Sequence, residues 1–448
     1  MSTQSDPSQS PRPSEPSRAA AAADAEAPGS LAFIEEAGGN QDPPPPIRGV
    51  RRLLWWIIPA NFAIFLIWGA VPGILLPQQI TLLDPDPVRK VANLAVVMTI
   101  SAFAAMIAQP VAGQISDRTR SRFGRRAPWM FLGALAGGLS LVGLAFANSI
   151  VGIAIGWVLV QVSYNFAQGP LSAIMPDRVP ISRRGTFAAL SGIGLMVGAL
   201  GGQIIGSIFF NSIAMGYVFF AVFSIVILTL FIISNPDYPS GDLPREPFKL
   251  GDFLRTFWVS PRQHPDFFWA FTGRLLLYTG YFAVIGYQLF ILTDYLGVEK
   301  PETVIPLLGI ISLAGILLAT VVSGPLSDKL GRRKIFVFIS SVVTGLALIF
   351  PWASPTIGAW MIMTFIAGLG FGMFQAVDTA LMSEVLPSAK SFAKDLGVVN
   401  IAATLPQTLA PGVAGAIVLS IGYAGLFPIG IVLSLLGAFA VWPIKAVR

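Results

Sequence analysis

Residues 304–333 read VIPLLGIISLAGILLATVVSGPLSDKLGRR, and this stretch decides which solvent the chain folds in. Its first part, 304–323, carries no charge and is about as long as the roughly 20 apolar residues that a helix needs to cross a bilayer. A charged turn follows directly, with Asp328, Lys329, Gly331, Arg332 and Arg333. The same pattern occurs earlier in the chain. After an apolar run at 91–112 comes Gly113-Gln-Ile-Ser-Asp117-Arg118, and then Gly124-Arg125-Arg126. The two copies lie 207 to 211 residues apart. Other pairs share the offset of 207: Gln168 with Gln375, Ala173 with Ala380, Met175 with Met382, Asp177 with Glu384, and Pro180 with Pro387. A repeat of that length predicts two matched halves.

Working outward, twelve stretches are long and apolar enough to span, at 53–79, 91–112, 128–148, 150–175, 185–209, 216–234, 266–292, 304–323, 334–352, 356–383, 396–420 and 423–444. Closely spaced spans must be helical, because lipid offers no hydrogen-bond partner to an open sheet edge. Composition agrees: 54% of the 448 residues are hydrophobic and 12% are charged, about half the charge of a soluble domain. The expected fold is an all-α membrane protein, with twelve helices in two pseudo-symmetric six-helix bundles at 51–235 and 263–448. Residues 1–50 form an expected cytoplasmic tail, disordered because Pro, Ser, Ala and acidic residues bury too little apolar surface. Residues 236–262, with five prolines and mixed charge, form an expected cytoplasmic linker.

Charge predicts orientation. The tail, the even-numbered loops and the C-terminus hold 25 of the 29 Lys and Arg, against Arg89, Lys90 and Lys300 on the other side. This bias places both termini in the cytoplasm, with the chain in the inner membrane, and explains the net charge of +6 without nucleic-acid binding. The chain has no Cys and one His, which excludes a disulfide framework, thiolate metal sites and His-rich metal sites. No metal, cofactor or catalytic residue is expected. His264, in Pro261-Arg-Gln-His264-Pro265-Asp266, reads as a surface residue at a helix start.

The loop after span 8 resembles the major facilitator motif G-x-x-x-D-R/K-x-G-R-R/K, at Gly324, Asp328, Lys329, Gly331, Arg332 and Arg333. The loop after span 2 has four extra residues, giving S-D-R-T-R-S-R-F-G-R-R-A-P, a form similar to the sucrose-transporter and glycoside–pentoside–hexuronide cation symporter branch. The resemblance implies a secondary transporter and no enzyme, working by alternating access on a small polar solute. A cation-coupled sugar or glycoside symporter is the first expectation, and a drug or metabolite exporter the alternative. A non-transporting sensor or lipid scramblase is the alternative of another class. The partners are the lipid bilayer, the solute and a coupling proton or cation, and the chain acts as a monomer. The resemblance also gives Asp117, Arg118, Arg125, Asp328 and Arg332 a gating role, as a latch between the halves; the bare alternative is that the arginines only fix topology.

Polar and aromatic side chains recur at i, i+4, i+7 within several spans, on one helical face. Span 1 carries Asn61, Phe65 and Trp68; span 4 carries Gln161, Asn165 and Gln168 beside Tyr164. Span 7 carries Arg274, Tyr278, Tyr281 and Gln288; span 10 carries Phe371, Gln375 and Asp378 beside Phe374; span 11 carries Asn400, Thr404 and Gln407. Such groups are costly against lipid, so these faces should point inward. In major facilitators spans 1, 4, 7 and 10 line the central cavity. The substrate-binding expectation therefore covers Asn61, Trp68, Tyr164, Asn165, Gln168, Arg274, Tyr278, Tyr281, Gln288, Phe371, Gln375, Asp378 and Asn400, with interhelical hydrogen bonding as the alternative for each. Amides and rings together suit a neutral polyhydroxylated ligand. Arg274 and Asp378 sit about 12 and about 9 Å in from the same end at the helical rise, close enough in depth to pair. Span 5 is Gly-rich, with Gly192, Gly194, Gly198, Gly201, Gly202 and Gly206, which suits either an antiporter-like motif or tight packing.

Overall fold

The computed structural model describes residues 49–241, 262–385 and 392–445. The expected tail and most of the expected linker lie outside the described residues. Twelve long helices follow one another: α1 Val50–Leu83, α2 Pro87–Arg118, α3 Ala127–Ala145, α4 Ile150–Arg178, α5 Ile181–Ile208 and α6 Ile213–Ser234. Then come α7 Pro265–Ile285, α8 Pro301–Leu330, α9 Arg333–Ala353, α10 Ile357–Glu384, α11 Phe392–Ile421 and α12 Leu426–Ala440. They correspond one to one with the twelve spans read from the sequence, and there is no strand among the described residues. Among those residues eleven helices are long and apolar enough to cross a membrane; α11 is described as apolar over Leu405–Ile421.

Local chemistry sets the boundaries. Pro87, Pro265 and Pro301 open α2, α7 and α8, where a missing N–H costs nothing. The Asp86 carboxylate accepts the Val88 and Arg89 N–H groups at 3.0 and 2.8 Å. The Arg89 N–H chiefly holds that carboxyl below its ordinary pKa. Ser149 and Thr356 cap α4 and α10 through the Gly152 and Ala359 N–H groups. Gly331, at φ +60°, ends α8 in the left-handed conformation that favours glycine. Two helices are wound wider near the end away from the chain termini. α1 contains a π turn at Val71–Leu75, and α7 continues through Gln288–Phe290 into a π turn at Ile291–Tyr295.

The first six helices pack as the last six do. α1 packs on α5 and α6, α2 on α4, and α3 on α4 and α6; likewise α7 packs on α11 and α12, α8 on α10, and α9 on α10 and α12. The glycines of α5 make the closest approach. Gly194, Gly198 and Gly202 lie against the carbonyls of Ile58, Phe62 and Leu66 on α1, leaving no room for a Cβ. That spacing of four on both helices is close packing of small residues, the second of the two roles that the sequence left open. Ile208, Val321, Phe439 and Leu139 point outward, as expected of lipid-facing side chains.

Two seams join the sets, α2 on α11 and α5 on α8. Away from the termini one apolar cluster unites both sets, running from Leu66, Val71 and Leu94 to Tyr287, Leu292, Ala414 and Leu426. Near the termini the apolar clusters are separate. Leu53, Ile57, Met130, Ile174 and Phe231 belong to the first set, and Phe267, Val337, Leu381 and Val441 to the second. Among the described residues the two sets share an apolar cluster at the far end, and the apolar clusters at the terminal end each belong to one set.

Candidate functional site

On α7 and α10 the chain puts two charges inside the bundle. Arg274 Nε lies 3.3 Å from Asp378 Oδ2, with side chains only 8% and 3% exposed. The helical spacing that set Arg274 and Asp378 at similar depth thus ends in contact. Arg274 Nε and Nη1 and Asp378 Oδ2 are buried with no hydrogen-bond partner. Through these three atoms the pair attracts by charge, without the directed bonds that make such pairs strong. The Arg274 guanidinium also stands 5.4 Å from the centre of the Tyr278 ring.

One turn further along α7, the Tyr278 hydroxyl donates to Gln375 Oε1 at 2.8 Å. Tyr281 stacks on Phe371 with centroids 4.7 Å apart and planes 16° apart. Tyr278 also contacts Phe371 and Phe374 at 5.6 and 5.4 Å. Gln375 stays exposed and Phe371 half-buried. The predicted faces of α7 and α10 thus meet as one wall of charge, amide and rings. Gln288 is half-buried on the extension beyond α7. The Asn400 side chain, with that of Thr404, is outside the described residues.

The polar side chains predicted on α1 and α4 are neutral. The Trp68 indole N–H reaches Gln168 Oε1 at 3.4 Å, and its ring meets Trp157 and Tyr164 edge-on at 5.9 and 6.3 Å. Asn61 and Asn165 donate to carbonyls on their own helices, Ile57 and Gln161, at 3.0 and 2.8 Å. Tyr164 departs from the expectation. It is fully buried, its hydroxyl lies 2.5 Å from Ser224 Oγ on α6, and its ring covers Gly137 on α3. One residue step turns about 100° around a helix, so Asn165 lies on a different face, while Gln168, four residues on and half-buried, stays near the Tyr164 side; Tyr164 itself faces the interior of the first set. It supports Trp68 from behind.

At the terminal end the ion pairs among the described residues of the charged loops lie within each half. Arg126 bonds Asp117 at 2.5 Å, Asp177 at 2.8 Å and Ser116 Oγ at 3.0 Å, and its N–H donates to Asp237 at 2.9 Å. Burial by itself would lower the pKa of Arg126, but the Asp177 and Asp117 carboxylates raise it above its ordinary value. Arg125 pairs with Asp177 at 2.6 Å. Arg118 Nη1 donates to Gln114 Oε1 on its own helix at 2.5 Å. In the second loop Arg333 pairs with Asp328 at 3.4 Å, and Arg332 is exposed. The second arginine of each Gly-Arg-Arg triplet therefore holds the loop aspartate. The sequence expectation had named the first. Arg126 and Arg333 are equivalent in the repeat, as are the left-handed Gly124 and Gly331 at φ +84° and +60°, so the repeat already carried the signal. Asp177 pairs across the loop, which its match to Glu384 could have suggested.

Twelve helices in two sets of six with matching packing define the fold of the major facilitator transporters. A D-xylose-proton symporter superposes with TM-score 0.65 and 14% identity, over 90% of this chain and 98% of that one. A bacterial homolog of the human lysosomal transporter Spinster, in its inward-facing and occupied conformation, superposes with TM-score 0.68 and 13% identity, over 90% and 98%. The chain belongs to the family described as MFS/sugar transport protein, which its sequence matches over residues 90–434. It is also similar to the sucrose transport protein SUC4 of Arabidopsis thaliana, 26% identical over 162 residues, or 33% of this chain and 31% of that protein. The matched stretches span less than a third of the length of the first curated relatives.

Proposed function

We propose that the chain is a secondary transporter that moves a small polar solute by alternating access, and that it works as a cation-coupled sugar or glycoside symporter. The observation that carries this reading is the buried Arg274–Asp378 pair beside Tyr278, Gln375, Tyr281 and Phe371. Charges so expensive to bury, in an otherwise apolar bundle, mark a pathway rather than a lipid-facing surface. The family match and the stretch shared with a sucrose transport protein support a sugar as solute. Rings on Trp68, Tyr281 and Phe371 suit stacking on a sugar face, and the amides of Asn165, Gln168 and Gln375 suit its hydroxyls.

The basic terminal end faces the cytoplasm under the positive-inside rule, so the parted apolar clusters correspond to a state open to the cytoplasm. The halves at 51–235 and 263–448 rock about the two seams, with a binding site between them near the midplane. Solute arriving between the halves competes for the Arg274 donors, and Asp378, released, takes up the coupling proton or cation. Asp117, Arg125, Arg126, Asp177, Asp328 and Arg333 hold the cytoplasmic loops in shape and form the inner gate when the halves close. The chain works as a monomer in the inner membrane and makes no covalent intermediate.

The test is uptake of labelled mono- and disaccharides into proteoliposomes under an imposed proton or sodium gradient. Gradient-driven accumulation of a sugar by the parent chain, and equilibration without accumulation by Asp378→Asn, is the expected result. Gradient-independent movement in the parent would remove the coupling, and movement of drug-like cations in place of sugars would make the chain an exporter.

A further inference from the structure

Among the described residues, the ion pairs at the terminal end lie within one half, and the far end is built differently. Lys90, the fourth residue of α2, has a side chain only 8% exposed, and its Nζ lies 2.8 Å from Asp294 Oδ1. Of the ion pairs among the described residues, this one joins the first six helices to the last six. The Lys90 ammonium also lies 5.0 Å from the Phe290 ring centre. Asp294 sits on the π turn Ile291–Tyr295 that extends α7, and its Oδ2 accepts the Tyr423 hydroxyl at 2.9 Å. One carboxylate thus ties α2, the end of α7 and the turn before α12.

The surroundings are tight. On the seam between α2 and α11, Gly412 abuts Thr99, and Gly415 abuts Ala95 and the Tyr287 hydroxyl. Tyr287 donates to the Pro411 carbonyl at 3.2 Å. The π turn of α1 touches the α7 extension at the same end. The α1 π turn thus meets Gln288–Phe290, directly before the second π turn, and such turns concentrate at functional positions.

We infer that Lys90, Asp294 and Tyr423 form the lock of the outer gate, closed in this state and opened when the halves rock apart. The reasoning is one of solvation. A buried ammonium is costly without its partner, so the pair holds as long as the seam is dry. When the seam parts, water reaches both ions at the membrane surface and the cost of separating them falls steeply. A contact that is firm when closed and cheap once wetted is a lock, whereas an apolar seam has no such switch. An ion pair across the halves at the far end holds that end closed in this state. None of this depends on which solute is carried.

The natural lack of cysteine provides the test. Ala95→Cys, on the seam one turn inward of Lys90, is treated with a membrane-impermeant thiol reagent added to the Lys90 face of oriented vesicles. Labelling is slow in the otherwise unaltered chain. Lys90→Ala or Asp294→Asn raises the rate about tenfold or more by shifting the population toward the open state. The exchanged pair, Lys90→Asp with Asp294→Lys, returns it toward the slow rate. Ala134→Cys, buried inside the first half, serves as a control for unfolding and stays unlabelled throughout. Unchanged labelling at Ala95→Cys in both single variants overturns the inference. So does an exchanged pair that labels as fast as the singles, or labelling at Ala134→Cys, which would make the opening mere unfolding.

Discussion

Neutralising one member of the Arg274–Asp378 pair should cost far more than neutralising both. Asp378→Asn leaves the Arg274 guanidinium buried at 8% exposure with no counter-ion. Breaking a buried pair by removing one partner costs about 3–5 kcal/mol. The lower end applies here, because Arg274 Nε and Nη1 and Asp378 Oδ2 form no directed hydrogen bond whose loss would add to the penalty. Arg274→Met should cost a similar amount, by stranding the carboxylate. The double variant buries no charge, and such replacements are often neutral or stabilising, so it should recover most of the loss. The assay is thermal unfolding in detergent, followed by fluorescence of the ten tryptophans. A cost of about 3 kcal/mol corresponds to a fall of several degrees in Tm on the scale of domains of about 200 residues. Single variants that melt with the parent would refute the buried-charge reasoning. A double variant whose loss equals the sum of the singles would show that the two side chains are not coupled.

Gly202→Val should disrupt the α1–α5 contact, because its Cβ would strike the Leu66 carbonyl, whereas Gly192→Ala should be neutral, since nothing lies within 4 Å of its Cβ; overpacking costs about 1–3 kcal/mol, and melting of the two variants compares them. Arg126→Lys should destabilise the loop after α2, since an ammonium cannot serve Asp117, Asp177 and Ser116 together. Asp328→Asn should change little, because that side chain is 70% exposed; limited proteolysis of the two loops reads the difference. Tyr164→Phe should lose about 1 kcal/mol with its Ser224 bond and leave affinity for a transported solute unchanged, whereas Gln375→Ala should weaken its binding, as measured by ligand-induced shifts in melting.

The helices were legible because the bilayer imposes one rule on every span: uncharged length with satisfied backbone. The repeat was legible because matched loops must hold matched helix ends, and Gly124 and Gly331 needed the same left-handed turn. Arg274 and Asp378 could be paired in advance because charge in a span is rare and its depth follows from the helical rise. Tyr164 could not be placed, since an aromatic ring on a helix serves equally against a cavity or against Gly137. The choice between Arg125 and Arg126 depended on the geometry of a tight turn, which spacing alone leaves open. Lys90 looked like a stray basic residue on the sparsely charged side. Its partner Asp294 lies 204 residues away, and only folding brings the two together.

Alternating access about the two seams is tested most directly by a distance. Spin labels on cysteines replacing Arg122, exposed on the loop after α2, and Lys329, exposed in the last turn of α8, report the gap between the halves at the terminal end in lipid. With any solute that the vesicle assay shows to be transported, a shorter-distance population should grow at the expense of the open one. A single distance distribution, unmoved by a transported solute, would contradict the account.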